Sequence, residues 1–232
     1  DENISAIRRY ATAVRRRVCP DAPFALGLRL SAAAAQELTG RIEEFRRLLA
    51  ENGFYAVSIN GFPYGRFHHG RVKQAVYLPD WTSRDRVAYT CDLVDILSGI
   101  LPEGDIGTVS TVPGCYGKRV PGAVFDNLLL MARYLSCLER ETGRRIVLCL
   151  EPEPDCCMDD LASTRLFFDR LFDRAPNLAR YIGVCLDCCH AAVAFESPFK
   201  WYCELTASGV AVPKIQVSAA VRMNTIVNDR ER

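Results

Sequence analysis

The stretch RIVLCLE, residues Arg145–Glu151, is a short apolar run that ends in a carboxylate. Its length and its β-branched residues are typical of a strand that is buried on both faces. A helical pattern at residues 122–142 precedes it and ends at Gly143, and another helical pattern follows near residues 159–174. This order of helix, strand and helix predicts a strand of a parallel sheet that is covered by helices.

The same alternation continues in both directions from this stretch. Further strands are predicted at Phe24–Leu30, Phe54–Asn60, Ile106–Val112, Ile182–Asp187 and Pro213–Ala219. Further helices are predicted at residues 4–18, between Ser31 and Gly53, and at residues 84–100 and 189–207. Continuous alternation of this kind indicates a parallel sheet with helices outside it.

A sheet of this kind is either an open doubly wound sheet or a closed barrel. An open nucleotide-binding sheet would carry a glycine-rich phosphate turn, and neither G-x-G-x-x-G nor G-x-x-x-x-G-K-[ST] occurs in the sequence. The chain starts with a helical pattern and stops soon after a strand pattern. We therefore expect one α/β domain over residues 1–232, a (β/α)8 TIM barrel whose first and last strands lie outside this chain.

The composition narrows the classes of function. The chain has 232 residues, is 49% hydrophobic and carries a formal net charge of +1, which gives no general attraction to nucleic acid. No apolar run reaches the roughly 20 residues that a membrane-spanning helix needs. Its 11 cysteines, several of them adjacent, are interpreted as reduced thiols of a cytoplasmic protein. A thiolate metal site that uses Cys185-x-x-Cys188 is the alternative.

A long irregular segment at residues 61–83 follows the second predicted strand. It is rich in glycine, proline, aromatic and basic residues, and it contains His68 and His69. Loops of this length are often lids or binding segments. We predict a loop on the active-site face whose basic residues Arg66, Arg71 and Lys73 close over an anionic substrate and whose two histidines bind the substrate; a loop that only packs against the barrel is the alternative.

Each predicted strand ends in polar or charged residues, or carries a row of them. Because the carboxyl ends of barrel strands meet on one face, where the chemistry of this fold lies, these side chains should surround one pocket. They are Arg29, Asn60, Ser110, Thr111, Glu151, Asp187 and the row Lys214, Gln216 and Ser218. We predict that Arg29, Asn60 and Lys214 bind a small-molecule substrate, with Arg29 suited to a carboxylate or phosphate or, equally, to a barrel carboxylate.

Two of these strand ends carry the strongest chemical signal. They are LCLEPEP, residues Leu148–Pro154, and VCLDCCH, residues Val184–His190. A carboxylate at the end of a buried strand has to be paired, hydrogen-bonded or bound to metal. Carboxylates of Glu151 and Asp187 that converge with the His190 imidazole suit Mn²⁺, Mg²⁺ or Zn²⁺. A structural ion-pair network is the alternative.

The E-P-x-P and D-x-x-H motifs in these stretches resemble those of the xylose-isomerase-like sugar-phosphate isomerase/epimerase superfamily. The resemblance implies a divalent metal bound by Glu151 and Asp187, with Glu151 also moving a proton through an enediolate. It implies that His190 lies beside the substrate. Gln216 stands where the family has a metal-binding histidine, and the family's last glutamate would fall beyond the end of this chain.

A narrower resemblance extends over most of the chain. The runs FPYGRFHHGRVKQAVYLPDW, STVPGCYG and KIQVSAA, together with the two strand-end stretches, resemble the bacterial EboE metabolite traffic proteins. That resemblance implies the handling of a small metabolite on its way to the cell envelope. Two functions therefore stay open: a metal-assisted isomerase or epimerase, and a non-catalytic metabolite-binding protein of an export pathway.

Overall fold

The computed structural model describes residues 2–65 and 76–221. The strands are β1 Phe24–Arg29, β2 Phe54–Asn60, β3 Gly107–Thr111, β4 Ile146–Leu150, β5 Ile182–Asp187 and β6 Lys214–Gln216. The α-helices are α1 Glu2–Ala6, α2 Thr12–Val18, α3 Ala32–Thr39, α4 Ile42–Glu51, α5 Arg84–Ile100, α6 Gly122–Thr142, α7 Leu161–Phe172, α8 Cys188–Val193 and α9 Pro198–Ala207. A π-helical turn, Ile7–Ala11, joins α1 to α2, and a 3₁₀-helix, Pro176–Tyr181, precedes β5.

In the part of the chain that the structure describes, the strands form one six-stranded sheet in the order β1-β2-β3-β4-β5-β6. All neighbouring pairs are parallel. The predicted parallel α/β architecture is therefore confirmed for these residues. Because parallel neighbours point the same way, their carboxyl ends meet at one edge of the sheet.

The two faces of the sheet have different environments. On β4, Leu148 and Leu150 belong to the main core beneath the helices, whereas Val147 and Cys149 lie with Cys185 in a separate cluster. This separation follows from the alternation of side chains along a strand. The helix-covered face carries most of the buried apolar surface, and each fully buried Leu or Phe there contributes about 1.5–3 kcal/mol.

The sheet curls, so strands that are distant in the sequence share an interior. Nζ of Lys214 on β6 donates a hydrogen bond of 2.9 Å to Oγ of Ser110 on β3. Residues of β1, β2 and β6 line one cavity. The inner face of the sheet therefore surrounds a hollow instead of lying flat.

Two predicted helices are each divided in the structure. The helix expected between Ser31 and Gly53 breaks at Gly40 and Arg41 into α3 and α4, consistent with the low helix propensity of glycine. The helix expected at residues 189–207 breaks between α8 and α9, where Pro198 lacks the N–H that a continuing helix needs. Ser197 caps the new helix through the backbone N–H of Lys200.

A buried arginine secures both described ends of the long segment at residues 61–83. The Arg86 guanidinium donates to the carbonyl oxygens of Gly61 at 2.8 Å, Phe62 at 3.1 Å and Pro79 at 2.7 Å. Trp81, which is fully buried, anchors the second end in the core. The predicted substrate contacts Arg66, His68, His69, Arg71 and Lys73 lie outside the described residues, so their role stays a prediction.

No helix among the described residues is long and apolar enough to cross a membrane. All eleven cysteines have free thiols in the structure.

Candidate functional site

Glu151 lies at the carboxyl end of β4, directly after the last strand residue. Its backbone N–H donates to the carbonyl of Thr111 at 3.0 Å, which continues the pairing with β3 and fixes the direction of the side chain. The residue is only 5% exposed, and its Oε2 atom is buried without a hydrogen-bond partner. A buried carboxylate oxygen without a partner is costly, and such atoms often mark a position where a ligand binds.

His190 brings its ring between Glu151 and a second glutamate. Nδ1 lies 3.0 Å from the carbonyl oxygen of Pro152 and 3.9 Å from Oε1 of Glu151. Nε2 lies 3.3 Å from Oε1 of Glu153. Because a carbonyl oxygen can only accept, Nδ1 carries the hydrogen in this arrangement, and in the neutral ring Nε2 is an acceptor that faces Glu153.

Glu153 also belongs to the site, although the sequence motifs did not predict it. It stands between two prolines in the turn after β4, and its backbone N–H donates to the carbonyl of Met158 at 3.0 Å. Its carboxylate points back to the same imidazole that Glu151 approaches. The available signal was the E-P-E-P sequence itself, in which a second acid follows the strand-end acid at a spacing of two residues.

Asp187 is held by α8, the helix that begins right after it. Its Oδ1 atom accepts a hydrogen bond of 2.9 Å from the backbone N–H of Cys189, as an N-cap does, and another from the Ser218 hydroxyl. These donors orient the carboxylate toward His190 and Glu151. Ser218, which follows β6, therefore extends the polar row of β6 into this site.

We call Glu151, Glu153, Asp187 and His190 the acidic mouth. Burial raises the pKa of Glu151 to about 7, with a further rise from Asp187, while Gln216 and Lys214 act in the opposite direction. Burial, together with Glu151 and Asp187, raises the pKa of Glu153 to about 8. Burial would also raise the pKa of Asp187, but the Ser218 hydroxyl, His190 and the Cys189 amide together hold it below its usual value.

Two overlapping groups in the mouth have donor atoms close enough to hold a metal ion. One comprises Glu151, Glu153 and His190, and the other comprises Asp187, Cys189 and His190; within each group the donor atoms lie within 4.8 Å of one another. The first group offers two carboxylates and an imidazole, which suit Mg²⁺, Mn²⁺ or Zn²⁺, and the second adds a thiol, which favours Zn²⁺. The residues therefore fit a divalent ion.

Gln216, the predicted third metal ligand, lies beside the mouth. Its amide nitrogen donates to the Cys185 thiol at 3.4 Å, a bond that does not involve the amide oxygen, which is the atom that could bind a metal ion. A hydrogen bond from Gln216 lowers the pKa of Glu151. The role of Gln216 as a metal ligand stays a prediction.

The predicted substrate-binding residues Arg29, Asn60 and Lys214 line one cavity of about 570 Å³ on the inner side of the curled sheet. We call it the inner cavity. Its other lining residues are Gly27, Leu28, Val57, Ser58, Thr108, Pro213, Ile215 and Gln216. Asn60 also accepts a hydrogen bond of 2.9 Å from the backbone N–H of Phe62 through its side-chain oxygen. The volume is within the range that small-molecule sites occupy.

Comparison with protein families finds no family that matches the sequence, and no curated protein matches it either. Solved structures do match. The chain is similar to 3-keto-D-glucoside 4-epimerase YcjR from E. coli, with a TM-score of 0.50 and 14% identity over 86% of this chain and 83% of that one.

Two further solved structures are similar to the chain, and both are described as xylose isomerase proteins or domains. A xylose isomerase-like TIM barrel protein from Mycobacterium smegmatis in complex with magnesium gives a TM-score of 0.53 and 18% identity, and it covers 84% of this chain and 62% of that one. A xylose isomerase domain protein from Planctomyces limnophilus gives 0.52 and 12%, over 84% of this chain and 74% of that one. At this level of identity the likeness shows the fold alone, a parallel α/β sheet of the TIM-barrel type.

Proposed function

We propose that this protein is a metal-dependent isomerase or epimerase that moves a proton next to a carbonyl group of a small polar metabolite. The observation that carries the proposal is the buried Oε2 atom of Glu151, which has no partner and lies in a cluster of convergent acids around one imidazole. A carboxyl group whose pKa lies near 7 can both accept and return a proton at neutral pH.

Glu151, Glu153 and His190 would hold the metal, with Asp187 and Cys189 as the second donor group. A divalent ion bound there would polarise the substrate carbonyl and so acidify the adjacent C–H bond. Among the similarly folded proteins, the one from Mycobacterium smegmatis was solved with magnesium. On the sequence resemblance described above, we also propose that the chain is one of the EboE metabolite traffic proteins.

Glu151, Glu153 and His190 have different roles in the proposed reaction. Glu151 is the proton-transferring base, because burial keeps its pKa close to the working pH. In the metal-free protein Glu153, whose pKa burial and the neighbouring acids raise to about 8, is protonated at neutral pH and can donate to Nε2 of His190, 3.3 Å away; a bound divalent ion would take the place of that proton. The Pro152 carbonyl fixes the ring of His190 from the other side, so the imidazole presents a defined tautomer beside the substrate.

Proton exchange with solvent tests this function without knowledge of the natural substrate. The full chain is incubated in D₂O with Mg²⁺, Mn²⁺ or Zn²⁺ and a panel of small polyhydroxy aldehydes and ketones, and ¹H NMR follows deuterium incorporation next to the carbonyl. We expect exchange with at least one compound and a loss of about 10²-fold or more in Glu151→Gln.

An exposed acid provides the matched control. Glu43→Gln on α4 removes the same charge from the surface and should leave the exchange rate unchanged, and circular dichroism should show that both variants are folded. Wild-type exchange in Glu151→Gln would remove Glu151 from the mechanism.

The second candidate is a non-catalytic metabolite-binding protein. Gln216 favours it, because an amide oxygen is a weaker ligand for transition metals than the imidazole that the resemblance places at this position. Metal analysis of the purified protein discriminates between the two candidates. A stoichiometric divalent ion with solvent exchange supports the enzyme, whereas a metal-free protein that binds compounds of the panel without exchange supports the binding protein.

A further inference from the structure

Two cysteine side chains outside the acidic mouth lie next to each other. Cys115 is in the loop between β3 and α6, and Cys157 is in the loop between β4 and α7. The backbone N–H of Cys115 donates to Sγ of Cys157 at 3.4 Å, and the backbone N–H of Cys157 donates to the carbonyl of Cys115 at 3.0 Å. The two residues therefore face each other across a short antiparallel pairing of the loops, which also includes a bridge between Tyr116 and Cys156.

The backbone around the pair suits a disulfide bond. Residues that stand opposite each other in an antiparallel pair have Cα atoms roughly 4.5–5.5 Å apart, and disulfides join Cα atoms that are roughly 4.4–6.8 Å apart. Gly114 leaves room for one of the sulfurs, because a Cβ atom at this position would lie 3.0 Å from Sγ of Cys157 and 2.9 Å from a ring carbon of Phe167. The two sulfurs can therefore be joined without a large movement of the backbone.

The two thiols differ in their chemistry. A hydrogen bond between the two side chains, together with one from the Cys115 amide, holds the pKa of Cys157 below its usual value. The same side-chain bond, together with burial, raises the pKa of Cys115, whose Sγ also lies 3.5 Å from the carbonyl oxygen of Arg119. The thiolate is the nucleophilic form of cysteine, so Cys157 is the attacking sulfur and Cys115 is the thiol beside it.

Three other buried cysteines differ from this pair. Burial raises the pKa of Cys156 to about 12, and its side chain is hydrogen-bonded to Tyr77. Cys149 and Cys185 are buried together on the inner face of the sheet, and burial raises the pKa of both. The Cys149 thiol contacts a backbone carbonyl, and the Cys185 thiol contacts the Gln216 amide. These thiols provide an internal comparison at similar burial.

We propose that Cys115 and Cys157 form a reversible disulfide in the presence of a small peroxide, which makes the pair a site of oxidative modification. Sγ of Cys157 attacks one peroxide oxygen, the O–O bond breaks, and a hydroxide ion leaves while Cys157 becomes a sulfenic acid. Sγ of Cys115 then attacks the sulfur of Cys157, the S–O bond breaks, and water leaves with the proton of the Cys115 thiol. Two thiols and one hydrogen peroxide thus give one disulfide and two waters: the sulfurs are oxidised and the peroxide oxygens are reduced.

The surroundings of the pair determine the reagent and the consequence. Cys115 is 4% exposed and Cys157 is 6% exposed, so a small neutral peroxide reaches the sulfur more readily than a bulky disulfide such as oxidised glutathione. The loop of Cys157 also carries Glu153, whose backbone pairs with Met158 at 3.0 Å and with Cys156 at 3.2 Å. The disulfide therefore ties the turn that carries Glu153 to the loop after β3.

Peptide mapping by mass spectrometry tests the proposal on the full chain. The folded protein is treated with hydrogen peroxide at neutral pH for increasing times, unfolded in iodoacetamide, digested and analysed without reduction. We expect the disulfide of Cys115 with Cys157 to form about tenfold or more faster than any disulfide of Cys149 or Cys185, and dithiothreitol to restore both thiols. The proposal is overturned if Cys115 and Cys157 are still free when the exposed Cys203 is fully oxidised, or if a disulfide between Cys149 and Cys185 forms as fast.

Single substitutions test the order of the two steps. In Cys115→Ser the hydroxyl can still donate to Sγ of Cys157 but cannot form a disulfide, so Cys157 should accumulate as a sulfenic acid, trapped by dimedone, and then as a sulfinic acid. In Cys157→Ser, Cys115 should stay reduced over the same time, which keeps the proposal testable if the first variant fails to fold. Oxidation of Cys115 in Cys157→Ser at the wild-type rate would contradict the assigned order. Cys203→Ser removes an exposed thiol of α9 and, as the control, should leave the rate of disulfide formation unchanged.

Thermal unfolding gives a second measure of the bond. A disulfide between residues 115 and 157 closes a long stretch of chain and so restricts the unfolded state. The oxidised wild type should therefore unfold about 5 °C or more above the reduced wild type, and peroxide should produce no such rise in Cys115→Ser. Neither measurement depends on a metal ion or on Glu151, so a failure of this inference leaves the proposed function untouched.

Discussion

The acidic mouth and the inner cavity lie on the same curled sheet and have opposite charge. The mouth gathers Glu151, Glu153 and Asp187 around one imidazole, and burial adds to their mutual repulsion. The inner cavity has Arg29 and Lys214 in its wall and no acid among its described lining residues. One region gathers acidic groups, and the other has two cationic side chains in its wall.

The two regions also differ in how the surrounding structure responds to that charge. In the mouth, burial and crowding raise the pKa values of Glu151 and Glu153, so protons partly replace the missing cation. In the cavity the space is open, so water or a ligand can reach the ammonium group. A buried acidic cluster therefore affects the stability of the folded protein, whereas a solvated cationic wall chiefly affects what the protein binds.

The largest expected effect concerns the pH dependence of stability. In the unfolded chain Glu151 ionises near 4.5, but in the folded, metal-free protein it holds its proton up to about pH 7. Between these values the folded state carries the extra proton, so the free energy of unfolding falls as the pH rises. The loss that Glu151 causes is about 3 kcal/mol at most. Urea unfolding in the presence of EDTA, from about pH 5 to about pH 8, measures it.

Two variants, one in the acidic mouth and one in the inner cavity, test the origin of this pH dependence of the free energy of unfolding. Glu151→Gln should flatten the profile, because glutamine does not titrate, although Glu153 still contributes in the same direction. Lys214→Met should make it steeper, because the lysine lowers the pKa of Glu151 in the wild type. If the wild type and Glu151→Gln had the same slope, the mouth would not hold the buried proton that we assign to it.

The next largest effect is the stabilisation of the folded protein by a divalent ion at a pH near 8, which is above the pKa of Glu151 and close to that of Glu153. An ion that binds only the folded state adds about 2.7 kcal/mol at a concentration one hundred times its Kd. Thermal unfolding with Mg²⁺, Mn²⁺ or Zn²⁺ measures the gain. Glu153→Gln should reduce it if the ion occupies the group of Glu151, Glu153 and His190.

Cys189→Ser is the matched variant for the other donor group. It should leave the effect of Mg²⁺ unchanged, because a hard ion does not need the thiol. If the effect of Zn²⁺ depends on Cys189 and not on Glu153, the ion occupies the group of Asp187, Cys189 and His190. Stabilisation by none of the three ions would contradict a metal site in the mouth.

Much of the fold and part of the mouth could be predicted from the sequence, because both follow from short-range regularities. Alternation of strand and helix predicted the parallel sheet, and β2, β5, α5 and α6 begin and end where the periodicity placed them. The carboxyl ends of neighbouring parallel strands share an edge, so the convergence of Glu151 with Asp187 and His190 followed from the order of the strands.

The remaining features depend on geometry that periodicity does not contain. The direction of the Glu153 side chain is set by a turn between two prolines, so its approach to His190 could not be inferred. The contact between Lys214 and Ser110 joins residues 104 positions apart and depends on how strongly the sheet curls. The hydrogen bond of Gln216 to Cys185 joins two neighbouring strands, but it depends on side-chain conformations that the pattern does not contain.

The smallest expected effect is a difference in stability between two variants that each lose a hydroxyl group. The Ser218 hydroxyl contacts a carboxylate, and the Ser110 hydroxyl contacts an ammonium group. Ser218 donates to the Asp187 carboxylate and accepts from the Cys189 amide at 2.9 Å, so Ser218→Ala should cost about 1 kcal/mol of stability. Because the pKa of Asp187 is held below its usual value of 3.8, that cost is present in full at neutral pH and is lost only as the pH falls below this value. Ser110→Ala should cost about 0.5 kcal/mol or less, since the Lys214 ammonium group can turn to water in the inner cavity.

Urea unfolding of both variants at neutral pH measures the difference. A larger loss of stability in Ser110→Ala than in Ser218→Ala would mean that the interior is packed around the lysine. The inner cavity would then be part of the core and not a place for a ligand.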